Sequence, residues 1–136
     1  MRTTWVTATA FIVKGDETLI VKRSEHDEYL PGYWEQAGGK LDWGESPKRG
    51  MAREVSEETG LEITPTKVYY AHHYTNEQKE RYIVEIAYIC EIVGSDAVTL
   101  SPEHSEYKWI IEDDLKSIEP ISDEMRIIIQ EGFRAI

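Results

Sequence analysis

The chain has 136 residues, which is the length of one domain, and the sequence predicts a single domain over residues 1–136. Its 40% hydrophobic and 30% charged residues exclude a disordered chain, and no apolar run approaches the ~20 residues needed to cross a bilayer. The net charge of −11 would repel a phosphate backbone, which excludes DNA and RNA polymers as partners. A small anionic substrate stays compatible with this charge if metal ions lie between the protein and the phosphates.

Turn residues separate the predicted strands from one another. Apolar runs predict five strands, at residues 4–14, 18–22, 68–73, 81–93 and 107–111. The first two form a hairpin around Gly15 and Asp16, the polar residues 23–36 form a loop, and Gly38-Gly39 breaks the chain again. The fourth run is almost continuously apolar, which predicts a strand buried on both faces.

Two helices are predicted, at residues 46–59 and 122–133. The first has Ser46 as its N-cap, Pro47 at its first position and Gly60 as its stop. Because strands and helices are mixed, with one helix early in the chain and another at its end, a layered α/β packing is expected.

The chain has no membrane-spanning or signal-peptide pattern, and its only cysteine is Cys90, so no internal disulfide is possible. Together these features favour the cytoplasm. Cys90 lies in an apolar run and is expected in the core.

Three glutamates on the first helix carry the chemistry. Glu54, Glu57 and Glu58 are spaced by three and four residues, which places them on one helix face. Arg53 alone cannot neutralise them, whereas a divalent cation can, and carboxylate oxygens suit Mg²⁺ or Mn²⁺. A solvated acidic helix face is the alternative interpretation of these three residues alone.

The surrounding segment resembles the signature of the Nudix hydrolases: Gly, five residues, Glu, seven residues, Arg-Glu, an apolar residue, any residue, Glu-Glu, any residue, Gly and an apolar residue. Every specified position is matched. The matching residues are Gly39, Glu45, Arg53, Glu54, Val55, Glu57, Glu58, Gly60 and Leu61. The resemblance implies an α/β fold, the Nudix-type α/β/α sandwich with a mixed β-sheet. One departure is Ala37, where many relatives have proline before the Gly-Gly pair.

The resemblance also implies roles for single residues. Glu54, Glu57 and Glu58 would hold Mg²⁺, for which Mn²⁺ could substitute, and Gly39 would let its backbone approach the metal or substrate.

The remaining box residues would support the ligands. Arg53 would orient a glutamate through a charge-assisted hydrogen bond. Glu45 would pin the loop to the helix and Gly60 would end the helix, so both are structural.

The reaction implied is attack of water at phosphorus, with a carboxylate as general base. Family members differ over which carboxylate serves. Glu54 is one candidate and Glu103, in the loop before residues 107–111, is the other and a further potential metal ligand. Glu106 is a weaker substitute, and an ordinary loop acid is the alternative for Glu103.

Substrate contacts are expected from Arg23 and Lys40, which could grip phosphates, and from Trp34, which could stack on a base. Tyr33 and Trp43 are further aromatic candidates. A surface role for the two basic residues and core packing for any one aromatic are the alternatives. Ser122 and Asp123 could read a base edge, although capping of the last helix explains them as well. A shared metal on His72 and His73 is disfavoured, since neighbours in a strand point to opposite faces.

Several substrates stay open. The signatures of ADP-ribose, coenzyme A and NADH hydrolases are not visible, and Tyr74 is only near the position of the tyrosine that marks dinucleoside polyphosphate hydrolases. Elimination favours a nucleoside triphosphate cleaved to a monophosphate and diphosphate, with an oxidised nucleotide as the narrower hypothesis. The alternatives are a dinucleoside polyphosphate or ADP-ribose hydrolase, a non-catalytic nucleotide or sugar-nucleotide sensor and, least favoured, a diphosphate isomerase. Homodimers are common in the family, but the sequence singles out no interface.

Overall fold

The computed structural model describes residues 1–136, which form seven strands, two α-helices and one 3₁₀ helix. The strands are β1 (Thr3–Lys14), β2 (Glu17–Arg23), β3 (Trp34–Glu35), β4 (Gly38–Lys40), β5 (Ile63–Asn76), β6 (Arg81–Ile92) and β7 (His104–Ile110). The helices are α1 (Pro47–Thr59) and α2 (Asp123–Ala135), and the 3₁₀ helix is Glu112–Ser117. Neither α-helix has the length and apolar character that crossing a membrane requires.

All seven strands belong to one mixed sheet. Its main path runs β3-β2-β1-β6-β5, while β4 pairs with β1 and β7 pairs with β2. Only the central pair of β1 and β6 is parallel, and the other pairings are antiparallel. In the central pair, Thr7 lies opposite Glu85, and Thr7 also lies opposite Lys40 of β4. The fold therefore aligns residues from distant parts of the chain in one row across the sheet.

The alternation of side chains along β1 builds a core on each face of the sheet. Ala8 and Ile12 face α1, where they join a cluster that includes Met51 and Val55. Phe11 points the other way and packs with Phe133 of α2, at a ring-centroid distance of 5.0 Å. The predicted α/β/α sandwich with a mixed sheet is therefore confirmed.

Burial of β6 on both faces is also confirmed. Tyr88 and Cys90 belong to the core under α1, and Ile89 belongs to the core under α2. Burial explains why this strand lacks polar alternation.

The ends of α1 follow from the residues that flank it. The Ser46 hydroxyl accepts a hydrogen bond from the Arg49 N–H at 3.2 Å, as expected of an N-cap. Gly60 has φ 74°, and its N–H donates to the Ser56 carbonyl. This left-handed conformation favours glycine, so the helix ends where the sequence predicts.

The sequence pattern did not predict two short strands, β3 and β4, or the full length of β5. β3 lies inside the expected loop, where Trp34 pairs with Lys22. Gly38 and Gly39 do not break the chain but pair with β1 as part of β4. β5 begins five residues before the expected strand and accommodates Pro65 at a register irregularity, which is tolerated because β5 is an edge strand.

Candidate active site

Arg53 lies at the centre of an ionic network on α1. Its guanidinium donates two hydrogen bonds to Glu45, at 2.7 and 3.0 Å, and two to Glu57, at 3.1 and 3.2 Å. The same group contacts a Glu54 oxygen at 3.2 Å. The bonds from Arg53, with a further one from the Asp42 N–H, lower the pKa of Glu45 to about 2. The network fixes the loop before α1 to the helix and restrains two of the predicted metal ligands.

Glu58 is the most unusual carboxylate of the site, because it is only 4% exposed. Its Oε1 accepts a hydrogen bond from the Gly38 N–H at 3.2 Å. Burial raises the pKa of Glu58 to about 9, and the negative charges of Glu35, Glu103 and Glu54 add to this effect. Burial and the charges of neighbouring carboxylates therefore both oppose ionisation of Glu58.

Glu35 and His104 belong to this cluster, although the sequence did not single them out. His104 is buried, and its Nε2 lies 2.8 Å from Glu35 while its Nδ1 lies 3.9 Å from Glu58. Glu35 also accepts a hydrogen bond from Arg23 at 3.1 Å. No motif marks either residue, because strand pairing brings them together from separate segments.

The two candidate general bases lie in different surroundings. Burial raises the pKa of Glu54 against the opposing effect of Arg53, and the charges of Glu57 and Glu103 contribute to the rise. Glu103 is exposed immediately before β7, and its charge acts on both Glu54 and Glu58. Glu106 instead forms an ion pair with Lys22 at 3.4 Å. Proximity to the cluster thus favours Glu103 over Glu106.

Gly39 allows α1 to approach the sheet closely. A Cβ atom at this position would lie 2.7 Å from Oε2 of Glu54. The Glu54 carboxylate can therefore lie beside β4 only because residue 39 has no side chain.

The donor chemistry fits Mg²⁺ or Mn²⁺, because Glu54, Glu57, Glu58 and Glu103 offer hard oxygen ligands. A divalent cation would also offset the burial and the neighbouring negative charges that raise the pKa of Glu58. No three His, Cys, Asp or Glu side chains converge on one point, and Arg53 engages both Glu54 and Glu57. Side-chain rotation, water and substrate phosphates would therefore complete the ligand set.

A cleft of about 430 Å³ lies between the sheet and the start of α2, and none of Glu54, Glu57, Glu58 and Glu103 lines it. Arg23, Lys40 and Trp34 all line it, as does Glu35 of the carboxylate cluster. The structure thus brings the three predicted substrate contacts to one cavity adjoining the box.

The three predicted contacts differ in availability. Arg23 already pairs with Glu35 and with Asp27, the latter at 2.8 Å. The Lys40 ammonium lies 4.3 Å from the centroid of the Trp5 ring and pairs with no carboxylate. Trp34 is only 4% exposed and packs in the core under α2, so little of its ring is free for stacking.

Of the remaining aromatic and polar candidates, one lines the cleft, one is fully exposed and two lie at the start of α2. Tyr33 lines the cleft, whereas Trp43 is fully exposed on the loop before α1. The Ser122 hydroxyl caps α2 by accepting from the Met125 N–H at 3.1 Å, and Asp123 is exposed in the first turn.

A layered α/β fold with a glutamate-bearing helix and a substrate-sized cleft defines the class of the protein. The NUDIX domain matches residues 3–131, so the chain belongs to the Nudix family.

Known proteins resemble the chain over most of its length. It is 30% identical to a MutT-like protein of Streptomyces ambofaciens, over 81% of this chain and 66% of that protein. It is 28% identical to the nucleoside triphosphatase NudI of Escherichia coli, over 71% of this chain and 74% of that protein. The crystal structure of a MutT protein from Methanosarcina mazei Go1 superposes with a TM-score of 0.85 at 29% identity, covering 98% of this chain and 96% of the other.

One further match covers a small part of a longer protein. The chain is 36% identical over 81 residues to a protein of Myxococcus xanthus named octanoyltransferase, and this segment spans 58% of the chain but only 23% of that protein.

Proposed function

We propose that residues 1–136 act as a single cytoplasmic Nudix domain that hydrolyses a nucleoside triphosphate to the monophosphate and diphosphate in a Mg²⁺-dependent reaction. The observation that carries the proposal is the Arg53-centred network that holds the box residues Glu54 and Glu57 on α1, together with a cleft lined by Lys40. The names of two similar proteins, MutT-like and nucleoside triphosphatase, support the substrate class.

Different residues would bind the cation, position its ligands and contact the substrate. Glu54, Glu57 and Glu58 would hold the cation, and Arg53 would keep Glu54 and Glu57 in place until the substrate arrives. A bound Mg²⁺ would neutralise charge on the phosphates and make the attacking water more acidic. Lys40, which no carboxylate neutralises, would contact a phosphate.

Glu103 is our choice for the general base, with Glu54 as the alternative. Glu103 is exposed and near the cluster, so it can exchange protons with water, whereas Arg53 already engages Glu54. The matched test compares Glu103→Gln with Glu106→Gln, because both remove one negative charge from the same region. A large fall in kcat only for Glu103→Gln is expected; equal effects would shift the role to Glu54.

The proposal is tested by identifying the phosphorylated products formed from a panel of nucleoside triphosphates, oxidised guanine nucleotides, ADP-ribose, sugar nucleotides and dinucleoside polyphosphates. Each is assayed with Mg²⁺, with Mn²⁺ and with chelator. Glu57→Gln should abolish most turnover, and Glu62→Gln, an exposed glutamate just beyond α1, is the matched control. Tight binding of one compound without turnover of any would favour a nucleotide sensor.

A further inference from the structure

A buried carboxylate in the cleft lacks the hydrogen-bond donors that burial normally requires. Glu85 of β6 is only 7% exposed, and it lines the cavity. Its nearest donors are the Thr9 hydroxyl, at 3.5 Å, and His72 Nε2, at 3.6 Å. Both distances are long, because the donor–acceptor distance of a hydrogen bond to a charged acceptor is normally less than about 3 Å.

The Thr9 hydroxyl is committed elsewhere. Tyr69 donates its single hydroxyl hydrogen to the Ile128 carbonyl at 3.0 Å. In its contact with Gln36, at 3.1 Å, the Tyr69 oxygen must therefore be the acceptor and the Gln36 amide nitrogen the donor. This orientation turns the Gln36 amide oxygen towards Thr9, whose single hydrogen is then used at 3.1 Å. Glu85 is therefore left without that donor.

A second unpaired group lies directly beside Glu85. Thr7 is opposite Glu85 in the register of β1 and β6, and its hydroxyl is buried with no hydrogen-bond partner. His72, opposite Glu85 on β5, also has a buried and unpartnered Nε2. Thr7, Glu85 and His72 all line the cleft, so unmet hydrogen-bonding capacity is concentrated on its floor.

The unpaired groups form a pattern that one nucleobase edge matches. A carboxylate only accepts, and its two oxygens can accept from two parallel N–H groups. Guanine presents an acceptor, O6, followed by two adjacent donors, N1–H and N2–H. The Thr7 hydroxyl can donate to O6 while Glu85 accepts from both nitrogens.

The other standard bases do not fit this arrangement. Adenine and cytosine each place an acceptor next to their amino group, and uracil places acceptors on both sides of its single N–H. Each would leave a carboxylate oxygen facing an acceptor, which is costly when both are buried. The spacing also suits guanine, because neighbouring strands lie roughly 4.8 Å apart, on the scale of the O6-to-N2 edge.

We propose that Glu85, assisted by Thr7, is the specificity-determining residue of the cleft and selects a guanine base. This inference rests on the proposed function, since it names the base of the nucleotide that the same site would cleave. A guanine oxidised in its five-membered ring keeps this edge and would be accepted too. Apolar atoms of Ile83 and Met125 also line the cleft and would border the flat base.

Calorimetric titration of the metal-free protein with GMP, IMP, AMP, CMP and UMP tests the assignment without requiring turnover. GMP should bind most tightly, and IMP, which lacks only the 2-amino group, should bind about tenfold more weakly. Equal affinities for GMP and IMP, or no saturable binding of any of the five, would overturn the inference. This comparison changes only the ligand, so it stands even if a variant fails to fold.

Variants supply the complementary test. Glu85→Gln should weaken GMP binding about 10- to 100-fold and reduce the preference over AMP. Glu91→Gln, on an exposed position of the same strand, should leave both unchanged. A GMP preference that survives in Glu85→Gln would refute the role of Glu85.

The two proposals can fail separately. Turnover of nucleoside triphosphates with no preference among bases would leave the hydrolase standing and reject the guanine site. Selective GMP binding that depends on Glu85, with no turnover of any nucleotide, would reject the hydrolase and retain the site.

Discussion

Substitution of Gly39 by alanine should damage the reaction while leaving the fold intact. The added methyl group would lie 2.7 Å from Glu54 Oε2, so the carboxylate would have to move by about 0.7 Å to reach an ordinary contact of 3.4 Å. A displacement of this size at a reacting centre predicts a loss of about ten- to a hundredfold in kcat. Stability should not fall, because Gly39 does not have a left-handed φ and alanine is preferred to glycine in a strand by roughly 0.5–1 kcal/mol.

The assay combines steady-state hydrolysis of the preferred nucleotide with urea unfolding. If the methyl group acts through Glu54, shortening that side chain should make room for it. The double variant of Gly39→Ala with Glu54→Asp should therefore lose less activity than the product of the two single losses. Normal kcat in Gly39→Ala, or losses that multiply independently, would refute this explanation.

Three further predictions concern the rest of the molecule. Gly132→Ala would place a methyl group within the Phe11 ring, so it should lower the free energy of unfolding by about 1–3 kcal/mol in urea titrations; the gain usual for this change at an open helix position would contradict the packing. Burial raises the pKa of the Cys90 thiol to about 12, so thiol reagents at pH 8 should modify it only after denaturation, and rapid labelling of the native protein would disprove its burial. The nearby Glu85 carboxylate raises the pKa of His72 against the effect of burial, so protonation of His72 stabilises the fold below about pH 6.5 and this contribution is lost as the pH rises through the raised value. NMR titration should find the His72 pKa lower in Glu85→Gln than in the unmodified chain, and an unchanged pKa would show that the Glu85 charge, 3.6 Å away, does not act on His72.

The helix of the box could be predicted in detail because its signals are local. Ser46, Pro47 and Gly60 define its ends within a few residues, and the spacing of the glutamates defines its charged face. The sandwich followed from the mixture of strands with two helices and from the family resemblance. These features depend on neighbours in the sequence, which is the information that a single chain supplies.

The floor of the cleft could not be predicted, because it depends on strand pairing between distant segments. Thr7 and Glu85 meet only through the parallel register of β1 and β6, and Glu35 meets His104 only after β2 has paired with both β3 and β7. No local pattern distinguishes Glu85 from the other acidic residues of the chain. The limited exposure of Trp34 was equally invisible, since an aromatic residue in a polar segment is compatible with either packing or stacking.

The most direct test of the central claim is a ³¹P NMR record of the products formed from a nucleoside triphosphate with Mg²⁺. We predict signals of the nucleoside monophosphate and diphosphate, which disappear with chelator and in Glu58→Gln and persist in Glu62→Gln. Release of orthophosphate and nucleoside diphosphate, or the same products without a divalent cation, would contradict the assignment of the box carboxylates to a metal-dependent cleavage.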